Sequence, residues 1–166
     1  MILKGTSVKI GDNINTDLII SGRYKFAITD MKELSKYLFE DVDPNFGKKI
    51  VAGKSIIVAG DNFGCGSSRE QAPLVIKEAG IVCIIARSFA RIFYRNAFNI
   101  GLALIEADTS LVEENDELEV DLENSAIKDI TKNKTLKTSP LPKIMRTLLS
   151  DGGLVAHVKK NNGINL

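Results

Sequence analysis

The segment that decides the fold of this 166-residue chain runs from Ser55 to Ala86 and reads SIIVAGDNFGCGSSREQAPLVIKEAGIVCIIA. Its two ends, Ser55–Ala59 and Ile81–Ala86, are almost uninterrupted apolar runs rich in β-branched residues, which is typical of strands buried on both faces. A glycine-rich loop and a helix over about Glu70–Ala79 are predicted between them. The segment therefore predicts a strand, loop, helix, strand unit.

The residues before this unit predict short elements. Val8–Ile10 and Leu18–Ile20 are apolar triplets separated by turn-forming residues, so we expect each to form a short strand. Asp30 followed by Glu33 has the pattern of a capping box, which predicts a helix from there through about Phe39. The N-terminal part thus adds strands and one helix to the fold.

The residues after the unit predict first a helix and a strand, and then a different pattern. A helix over about Phe89–Phe98 leads into a strand at Leu102–Ile105. Beyond Asp108, alternating polar and apolar residues predict an antiparallel meander, and Gly152-Gly153 ends a last helix. The meander strands and this helix are expected at Glu117–Leu122, Ala126–Thr131, Thr135–Thr138 and Pro142–Leu149. The predicted fold class is α/β, a mixed sheet with flanking helices and an antiparallel meander, in a single domain over residues 1–166.

Composition and charge exclude several classes of protein. Hydrophobic residues make up 44% of the chain and charged residues 26%, as in an ordinary globular protein. The 22 basic residues nearly balance the 21 acidic ones and form no stripe with interleaved aromatics, so nucleic acid is not an expected partner. The longest apolar runs fall far short of a membrane span, and the N-terminus lacks the pattern of a secretion signal. A cytoplasmic protein is therefore predicted.

Residues that bind metals are few. Only Cys65, Cys83 and His157 offer sulfur or imidazole ligands, whereas structural zinc sites and iron–sulfur clusters need more of them. His157 alternates with apolar neighbours, which predicts a strand or loop residue near the C-terminus rather than a ligand. No metal is expected on this chain, and any metal chemistry has to be carried by another chain.

The glycine-rich loop has the composition of an anion-binding site. Gly64 and Gly66 allow a ligand to approach the backbone closely, and the triplet Ser67-Ser68-Arg69 adds two hydroxyls and a guanidinium. Because Pro73 is tolerated only in the first turn of a helix, the helix must begin soon after this triplet. The backbone N–H groups of residues 64–68 would then face outward at the positive end of the helix, where a carboxylate or phosphate is favoured.

Familiar loop motifs are absent from this stretch. It lacks the Gly-Lys-Ser/Thr ending of a Walker A loop, the third glycine of the dinucleotide fingerprint and the Gly-x-Ser-x-Gly of a nucleophile elbow. A serine hydrolase is disfavoured because His157 is the only histidine available as a base. The guanidinium of Arg69 presents two parallel donors, which favours carboxylic acids over phosphates. A tight turn that merely caps a helix is the competing interpretation.

Two motifs of this sequence resemble a known family. Asp61–Glu70, which reads DNFGCGSSRE, and Ala86–Phe93, which reads ARSFARIF and is followed by Arg95-Asn96, are closely similar to the swivelling domain of the aconitase superfamily. In length and layout, from Asp12-x-x-x-x-Asp17 to the C-terminal glycines, the chain resembles the separate small subunits of isopropylmalate isomerases and their relatives. The resemblance implies a swivel-domain fold and a two-subunit hydro-lyase that converts 2-isopropylmalate to 3-isopropylmalate in leucine biosynthesis.

The same resemblance implies a partner and a division of roles. The large subunit of such enzymes carries a 4Fe-4S cluster with one iron open to substrate, a Lewis acid for the hydroxyl that leaves a dicarboxylic hydroxy acid. Ser67 would be the base that removes the substrate's Cα proton, while Ser68 and Arg69 would hold a substrate carboxylate. The open amides beside Gly66 would stabilise developing negative charge. Asp17 would support this constellation, or would only form a surface turn.

The second motif predicts a helix with a basic face. Ser88 is expected to cap the helix. Its buried stripe is expected to contain Phe89, Ile92 and Phe93. Arg91 and Arg95 lie four residues apart and hence on one face, where they could bind a carboxylate, pair with the partner chain or form a solvated basic surface.

A loop near the N-terminus is expected to select the substrate. It consists of Tyr24, Lys25, Phe26, Ala27, Ile28 and Thr29. In the resembled family, homoaconitase-like members place an arginine after the tyrosine, whereas isopropylmalate isomerases place apolar residues there. The run Phe26-Ala27-Ile28 favours an alkyl-branched malate, and Lys25 leaves room for an extra carboxylate. The small subunit of a homoaconitase or dimethylmalate dehydratase is one alternative, and a non-catalytic carboxylate-binding regulatory module is another.

Overall fold

A seven-stranded mixed sheet forms the centre of the molecule. The computed structural model describes residues 1–163. Across the sheet the strands follow the order β4-β3-β2-β1-β5-β6-β7. They are β1 (Ile2–Lys9), β2 (Ser55–Val58), β3 (Cys83–Ala86), β4 (Ala103–Glu106), β5 (Glu117–Asp121), β6 (Ala126–Asp129) and β7 (Lys134–Lys137). A mixed sheet with flanking helices and a meander confirms the predicted fold class.

Strand β1 divides the sheet into a parallel half and an antiparallel half. On one side β1, β2, β3 and β4 run parallel, with Val8 opposite Ile57 and Ile57 opposite Ile84. On the other side β1, β5, β6 and β7 run antiparallel, with Leu3 opposite Val120. The predicted strand, loop, helix, strand unit is therefore the centre of the parallel half, and the predicted meander is the antiparallel half.

Short and medium helices pack around the sheet. Within the described residues they are α1 (Thr16–Ile19), α2 (Gly22–Lys25), α3 (Met31–Leu34), α4 (Phe46–Lys49), α5 (Gln71–Glu78), α6 (Arg91–Asn99), α7 (Lys143–Asp151) and α8 (Leu154–Asn161), with a 3₁₀ turn at Ser35–Tyr37. None of these helices combines the length and the apolar composition that a membrane crossing requires.

The central strands read as continuous apolar runs because both faces of the sheet are covered. Successive side chains of a strand point to opposite faces. Ile57 packs into a cluster with Val75 of α5 and Phe93 of α6, whereas Ile56 packs into a second cluster with Val120 of the meander. Each face thus has its own hydrophobic core, and β2 contributes to both.

The predicted strand at Leu18–Ile20 is wrong, because these residues belong to a short helix and its end. Asn15 caps α1, and its side-chain oxygen accepts a hydrogen bond from the Leu18 N–H at 2.9 Å. Ile19 and Ile20 are fully buried. An apolar triplet fits a buried strand and a buried helical turn equally well, so the cap decides between them.

Strand β1 is longer than the predicted Val8–Ile10 and begins at Ile2. Its first residues are only half buried, so they lack the apolar pattern of a core strand. They form a strand because β5 pairs with residues 2–6, and β2 continues the pairing on the other side at residues 6–9. Gly5 permits this close approach, since a Cβ there would overlap the Lys54 carbonyl.

The helix predicted from Asp30 to Phe39 breaks into two pieces. Asp30 caps α3 as predicted and accepts a hydrogen bond from the Glu33 N–H at 2.7 Å. The chain then tightens into the 3₁₀ turn and leaves the helical conformation, and Phe39 adopts a left-handed φ of 56°. There its N–H donates to Ile19 and its ring packs 4.6 Å from that of Phe46. Tertiary packing of one aromatic residue therefore overrides helix propensity.

The expectation of a strand or loop at His157 is also wrong. Gly152 ends α7 with a left-handed φ of 84°, as predicted, but a further helix, α8, follows. His157 is 1% exposed in α8, and its Nδ1 lies 2.6 Å from the Asp151 carboxylate. This buried contact between imidazole and carboxylate joins the last two helices and accounts for the histidine structurally.

Candidate active site

Three loops of the parallel half meet at one edge of the sheet. They follow β1, β2 and β3, whose carboxyl ends lie side by side because the strands are parallel. Isolated bridges join Asn15 to Cys65 and Phe63 to Phe89, so the loop after β2 is held between the other two. Ligands of open parallel sheets bind at this edge. The glycine-rich loop therefore lies where a site is expected.

The two glycines of the loop have different roles. Gly64 is buried with a φ of 79°, and a Cβ there would overlap the ring of Phe93. It therefore permits packing of the loop on α6, and the expected approach of a ligand at this residue stays a prediction. Gly66 has a φ of 89°, is exposed, and would bring a Cβ no closer than 3.4 Å to Asn15. Gly66 therefore keeps its backbone surface open to solvent.

Part of the predicted row of open amides is already used. The Gly64 N–H donates to Ile14 at 2.7 Å, which corrects the prediction at its first position. Within residues 1–163, the N–H groups of Gly66, Ser67 and Ser68 donate to no protein acceptor. Three adjacent donors therefore remain available to an anion.

Thr16 holds the loop from the opposite side and was missed by sequence reasoning. Its N–H donates to the Cys65 carbonyl at 2.9 Å, and its hydroxyl donates to the Ser67 carbonyl at 3.0 Å. The residue is buried although polar. The only hint in the sequence was that Thr16 precedes Asp17. That position is compatible both with a surface turn and with a residue that supports the site.

Helix α5 begins where the proline predicts. Its first residue is Gln71, three positions after Ser68, and Pro73 lies in the first turn. Glu70 at the N-cap makes no side-chain capping bond. The amino end of α5 therefore lies directly behind the loop, where its dipole favours negative charge.

A cleft of about 290 Å³ opens over the loop. It is lined by Thr16, Gly64, Gly66, Ser67, Ser68, Arg69, Ala90, Arg91, Ile92, Phe93 and Asn96. The hydroxyls of Ser67 and Ser68 are exposed in it and have no hydrogen-bond partner within the described residues. The structure thus brings together four predicted residues of the site, from Gly66 to Arg69.

Arg69 and Asp17 form an ion pair across the mouth of the cleft. The arginine side chain is largely buried, whereas the aspartate is more exposed. Of the five N–H donors of the guanidinium, the pair uses one on Nη1. Asp17 therefore orients Arg69 and leaves the other donors of the guanidinium outside the pair, while its support of the site stays a prediction.

The second motif differs from its prediction at two points. Ser88 does not cap α6; its hydroxyl accepts a hydrogen bond from the Asn62 N–H at 2.8 Å and so anchors the glycine-rich loop. Ile92 is not buried but 53% exposed, and it lines the cleft. Helix α6 starts only at Arg91, and its buried residues are Phe93, Ala97 and Phe98.

The two arginines of α6 separate in space. Arg91 lines the cleft, whereas Arg95 does not. Both side chains are exposed and form no ion pair within residues 1–163. Arg91 is therefore the one that faces the candidate site.

None of the six residues from Tyr24 to Thr29 lines the cleft. Tyr24 stacks on Tyr37 with ring centroids 4.0 Å apart, and together with Ile28 it packs against the larger core. A hydrogen bond to Glu40 raises the pKa of Tyr24. Phe26 is 83% exposed, with the Lys25 ammonium 4.6 Å from its ring. The ends of the loop are thus anchored and its tip is exposed, while its role in specificity stays a prediction.

The cysteines of this chain do not fit an iron–sulfur cluster. Cys83 is fully buried in β3, where burial raises the pKa of its thiol to about 12 and disfavours the thiolate that a metal needs. Cys65 is the only other cysteine. Across residues 1–163, no three side chains of His, Cys, Asp or Glu converge as metal ligands would.

Comparison with known proteins agrees with this fold and identifies the family. Residues 8–110 match the aconitase C-terminal domain family. The 3-isopropylmalate dehydratase small subunit of Brachyspira hyodysenteriae is 50% identical over 98% of this chain and 100% of its own length. Small subunit 2 of the enzyme from Archaeoglobus fulgidus is 49% identical over the full length of both chains.

A solved structure agrees as well. The crystal structure of 3-isopropylmalate dehydratase from Methanocaldococcus jannaschii superimposes with a TM-score of 0.92 at 48% identity, covering 98% of this chain and 96% of that one. The match thus extends over nearly the whole of both chains. The chain therefore belongs to the aconitase C-terminal domain family and, within it, to the 3-isopropylmalate dehydratase small subunits.

Proposed function

We propose that this chain, together with a large subunit, converts 2-isopropylmalate to 3-isopropylmalate in leucine biosynthesis. The observation that carries the proposal is the cleft, in which Ser67, unbonded backbone N–H groups and Arg69 lie together. The names of full-length relatives at about 50% identity support this substrate class. The reaction removes water from a hydroxy acid and adds it back with hydrogen and hydroxyl exchanged between neighbouring carbons.

Ser67 is the proposed base. Its exposed side-chain oxygen has no protein partner in the described part of the chain. As the alkoxide, after its own proton has left to solvent, this oxygen would take the proton from the carbon beside a substrate carboxylate and become a neutral hydroxyl. The alkoxide of serine is costly to form in water because a hydroxyl gives up its proton reluctantly. The free N–H groups at Gly66, Ser67 and Ser68 would offset that cost by donating hydrogen bonds to the alkoxide oxygen. On re-addition the same oxygen returns the proton to the neighbouring carbon.

Ser68 and Arg69 are the proposed carboxylate ligands. The flat guanidinium donates parallel hydrogen bonds to both oxygens of a carboxylate, and the Ser68 hydroxyl donates a further one. Asp17 keeps Arg69 at the mouth of the cleft through their ion pair. A carboxylate held there would place the adjacent C–H bond beside Ser67, which is what proton abstraction requires.

A large subunit is the proposed partner and the proposed carrier of the 4Fe-4S cluster. This chain's own residues do not fit such a cluster, so the Lewis acid for the departing hydroxyl is assigned to the partner. We also propose that residues 1–166 act as one domain, since a single sheet joins both halves. The free thiols of Cys65 and Cys83 are compatible with the cytoplasmic location that we propose.

The proposed specificity loop, residues 24–29, would contact the substrate through its exposed tip, outside the part of the cleft that this chain lines. Its exposed tip presents Phe26 and Ala27, which suit an alkyl branch better than a carboxylate. This favours isopropylmalate over the tricarboxylate of a homoaconitase. Dimethylmalate also carries alkyl groups, and only a substrate panel separates it from isopropylmalate.

The test is anaerobic reconstitution of the full chain with the large subunit from the same organism. We expect the assembled enzyme to convert isopropylmalate with the highest kcat/KM in a panel that also contains dimethylmalate and homoaconitate. The purified chain alone should be colourless and inactive.

Two results would contradict the proposal. Stoichiometric iron–sulfur absorption on the purified chain would show that the cluster is not the partner's alone. Tight dicarboxylate binding by the chain alone, with no turnover in the assembly, would identify a regulatory carboxylate-binding module instead.

A further inference from the structure

Each of the three loops at the candidate site contributes one charged residue to a cluster beside the cleft. Asp12 follows β1, Asp61 follows β2 and Arg87 follows β3. None of the three lines the cleft, and the base Ser67 lies six residues beyond Asp61. The catalytic proposal therefore leaves their role open.

The contacts within this cluster converge on a few atoms. The Arg87 Nη2 donates to Asp12 Oδ1 at 2.7 Å and to Asp61 Oδ2 at 2.8 Å, and the Arg87 Nε donates to the same Asp61 oxygen at 3.0 Å. Asp12 Oδ1 also accepts the backbone N–H of Asp61 at 2.7 Å. One carboxylate oxygen of Asp12 thus binds both the loop backbone and the arginine.

Gly60 provides the space for this arrangement. A Cβ at this position would overlap Asp12 Oδ1 and would lie 3.1 Å from Arg87 Nη2. The φ of Gly60 is not in the left-handed region, so its backbone does not require glycine. The absence of a side chain is therefore explained by the carboxylate that occupies the space.

We propose that Asp12, Asp61 and Arg87 form a clamp that positions the loop carrying Ser67 for catalysis. The inference rests on the proposed function of that loop. The clamp fixes the start of the loop where it leaves β2, and Thr16 and Ser88 hold it further along. Displacement of a reacting group by about 1 Å lowers turnover strongly, so a loose clamp slows the reaction while substrate still binds.

Because the clamp is exposed, its effect on the position of the loop can be measured apart from its effect on the stability of the fold. All three side chains are at least one-third exposed, and ion pairs at such sites contribute little to the free energy of unfolding. Hydrogen bonding to Asp61 raises the pKa of Arg87, so the cation is present throughout the working range of pH. Substitutions in the clamp should therefore leave a folded protein whose catalytic loop is less well held.

The experiment measures kinetics of the assembled enzyme and amide hydrogen exchange of residues 60–69 in the full chain. Arg87→Met and Asp12→Ala should each lower kcat about tenfold with KM changed less than about twofold, and should speed exchange in the loop. Arg87→Lys keeps the positive charge but loses the planar set of N–H donors, so its kcat and exchange rates should lie between those of wild type and Arg87→Met. Lys4→Met is the matched control, because it removes an exposed ion pair with Glu119 at a distant position.

A double-mutant cycle tests the role of Gly60. Gly60→Ala should lower kcat in the wild type but should cost less than about twofold in the Asp12→Ala background, where its Cβ no longer meets a carboxylate. An equal loss in both backgrounds would overturn the clamp as the reason for glycine. Wild-type kcat and exchange in Arg87→Met and Asp12→Ala would overturn the clamp itself.

Failure of the proposed function gives a different result. If the wild-type assembly shows no turnover, the exchange rates of residues 60–69 still decide whether the clamp holds the loop. Unchanged exchange would overturn the clamp, and faster exchange would support it independently of the reaction.

Discussion

Polar side chains are exposed and unbonded at the carboxyl edge of the parallel half, whereas at the start of the antiparallel half they are buried and hydrogen-bonded. At the edge, the hydroxyls of Ser67 and Ser68 are exposed and unbonded within the described residues. Before β5, Asp116 is only 3% exposed, and its carboxylate accepts hydrogen bonds from Lys132 Nζ and the Glu113 N–H, both at 2.6 Å. The carboxyl edge therefore leaves hydrogen-bonding groups available to a ligand, whereas the polar groups buried before β5 are bonded within the protein.

Two serines make the contrast clear. Ser7 in β1 is fully buried; its hydroxyl donates to the Glu113 carbonyl and accepts the Asp116 N–H at 2.8 Å. Ser67 is exposed, and its hydroxyl has no hydrogen-bond partner within residues 1–163. A satisfied hydroxyl contributes to stability, while an unsatisfied exposed one is available to a ligand. Activity and stability should therefore respond to substitutions in different regions.

Ser67→Ala is the strongest test of the comparison. Loss of the proposed base should lower kcat by about 10² to 10⁴, because a positioned proton acceptor contributes about that much to a rate. KM should change less than about twofold, and the midpoint of thermal unfolding should not move. Steady-state kinetics and calorimetry of the reconstituted enzyme measure both, with the exposed Ser139→Ala as control. A variant with wild-type kcat would place the base elsewhere.

Arg69→Lys should have the next largest effect. A point charge cannot reproduce two parallel hydrogen bonds to a carboxylate, so KM should rise and kcat fall, for a combined loss of about 10 to 100-fold in kcat/KM. Initial rates over a range of isopropylmalate concentrations separate the two constants. Wild-type values for both would show that Arg69 serves only its ion pair with Asp17.

Lys132→Met should have the opposite effect: it should lower the free energy of unfolding and leave kcat unchanged. The ammonium lies 2.6 Å from Asp116 and 3.8 Å from Asp129, both buried carboxylates. Leaving them without a cation should lower the free energy of unfolding by about 2 kcal/mol, discounted for the partial exposure of the lysine. Urea titration measures this loss. Lys4→Met should change the same quantity by less than about 0.5 kcal/mol, and a fall in kcat of the folded Lys132 variant would break the comparison.

The contribution of Asp116 should depend on pH. Burial acts to raise the pKa of Asp116, but hydrogen bonds from Lys132 and the Glu113 N–H outweigh it, so the folded pKa lies below the ordinary value of 3.8. The stabilisation is therefore complete above that value and is lost as the pH falls below it. Urea titrations should show a larger stability gap between wild type and Asp116→Asn at pH 7 than at pH 3. An equal difference in stability at pH 7 and pH 3 would show that the charge of Asp116 does not contribute.

Substitutions in the specificity loop should have the smallest effect and should change selectivity rather than stability. Phe26→Arg and Ala27→Arg place a cation at the exposed tip, which should shift the ratio of kcat/KM toward substrates with an extra carboxylate by about tenfold. The unfolding midpoint should stay constant because both side chains are exposed. A panel of isopropylmalate, dimethylmalate and homoaconitate measures the shift, and no change in either variant would remove the loop from substrate selection.

The site was predictable where residue type alone carries the chemistry. Glycine in a left-handed conformation at Gly66, the adjacent hydroxyls and Arg69 are readable from the motif, and the structure brings them into one cleft. The roles of Gly64 and Ser88 were not readable. Gly64 contacts Phe93, 29 positions away, and Ser88 contacts Asn62, 26 positions away, and only the fold brings these residues together.

The sequence by itself determined the parallel unit, the meander and the family, because burial on both faces of a strand and the DNFGCGSSRE motif are properties of local residue order. The tertiary structure alone decided the helix at Leu18, the burial of His157 and the union of Asp12, Asp61 and Arg87. These depend on backbone pairing and on packing between distant segments. An apolar triplet or a lone charged residue is compatible with several conformations, and the free energy of its long-range contacts selects among them.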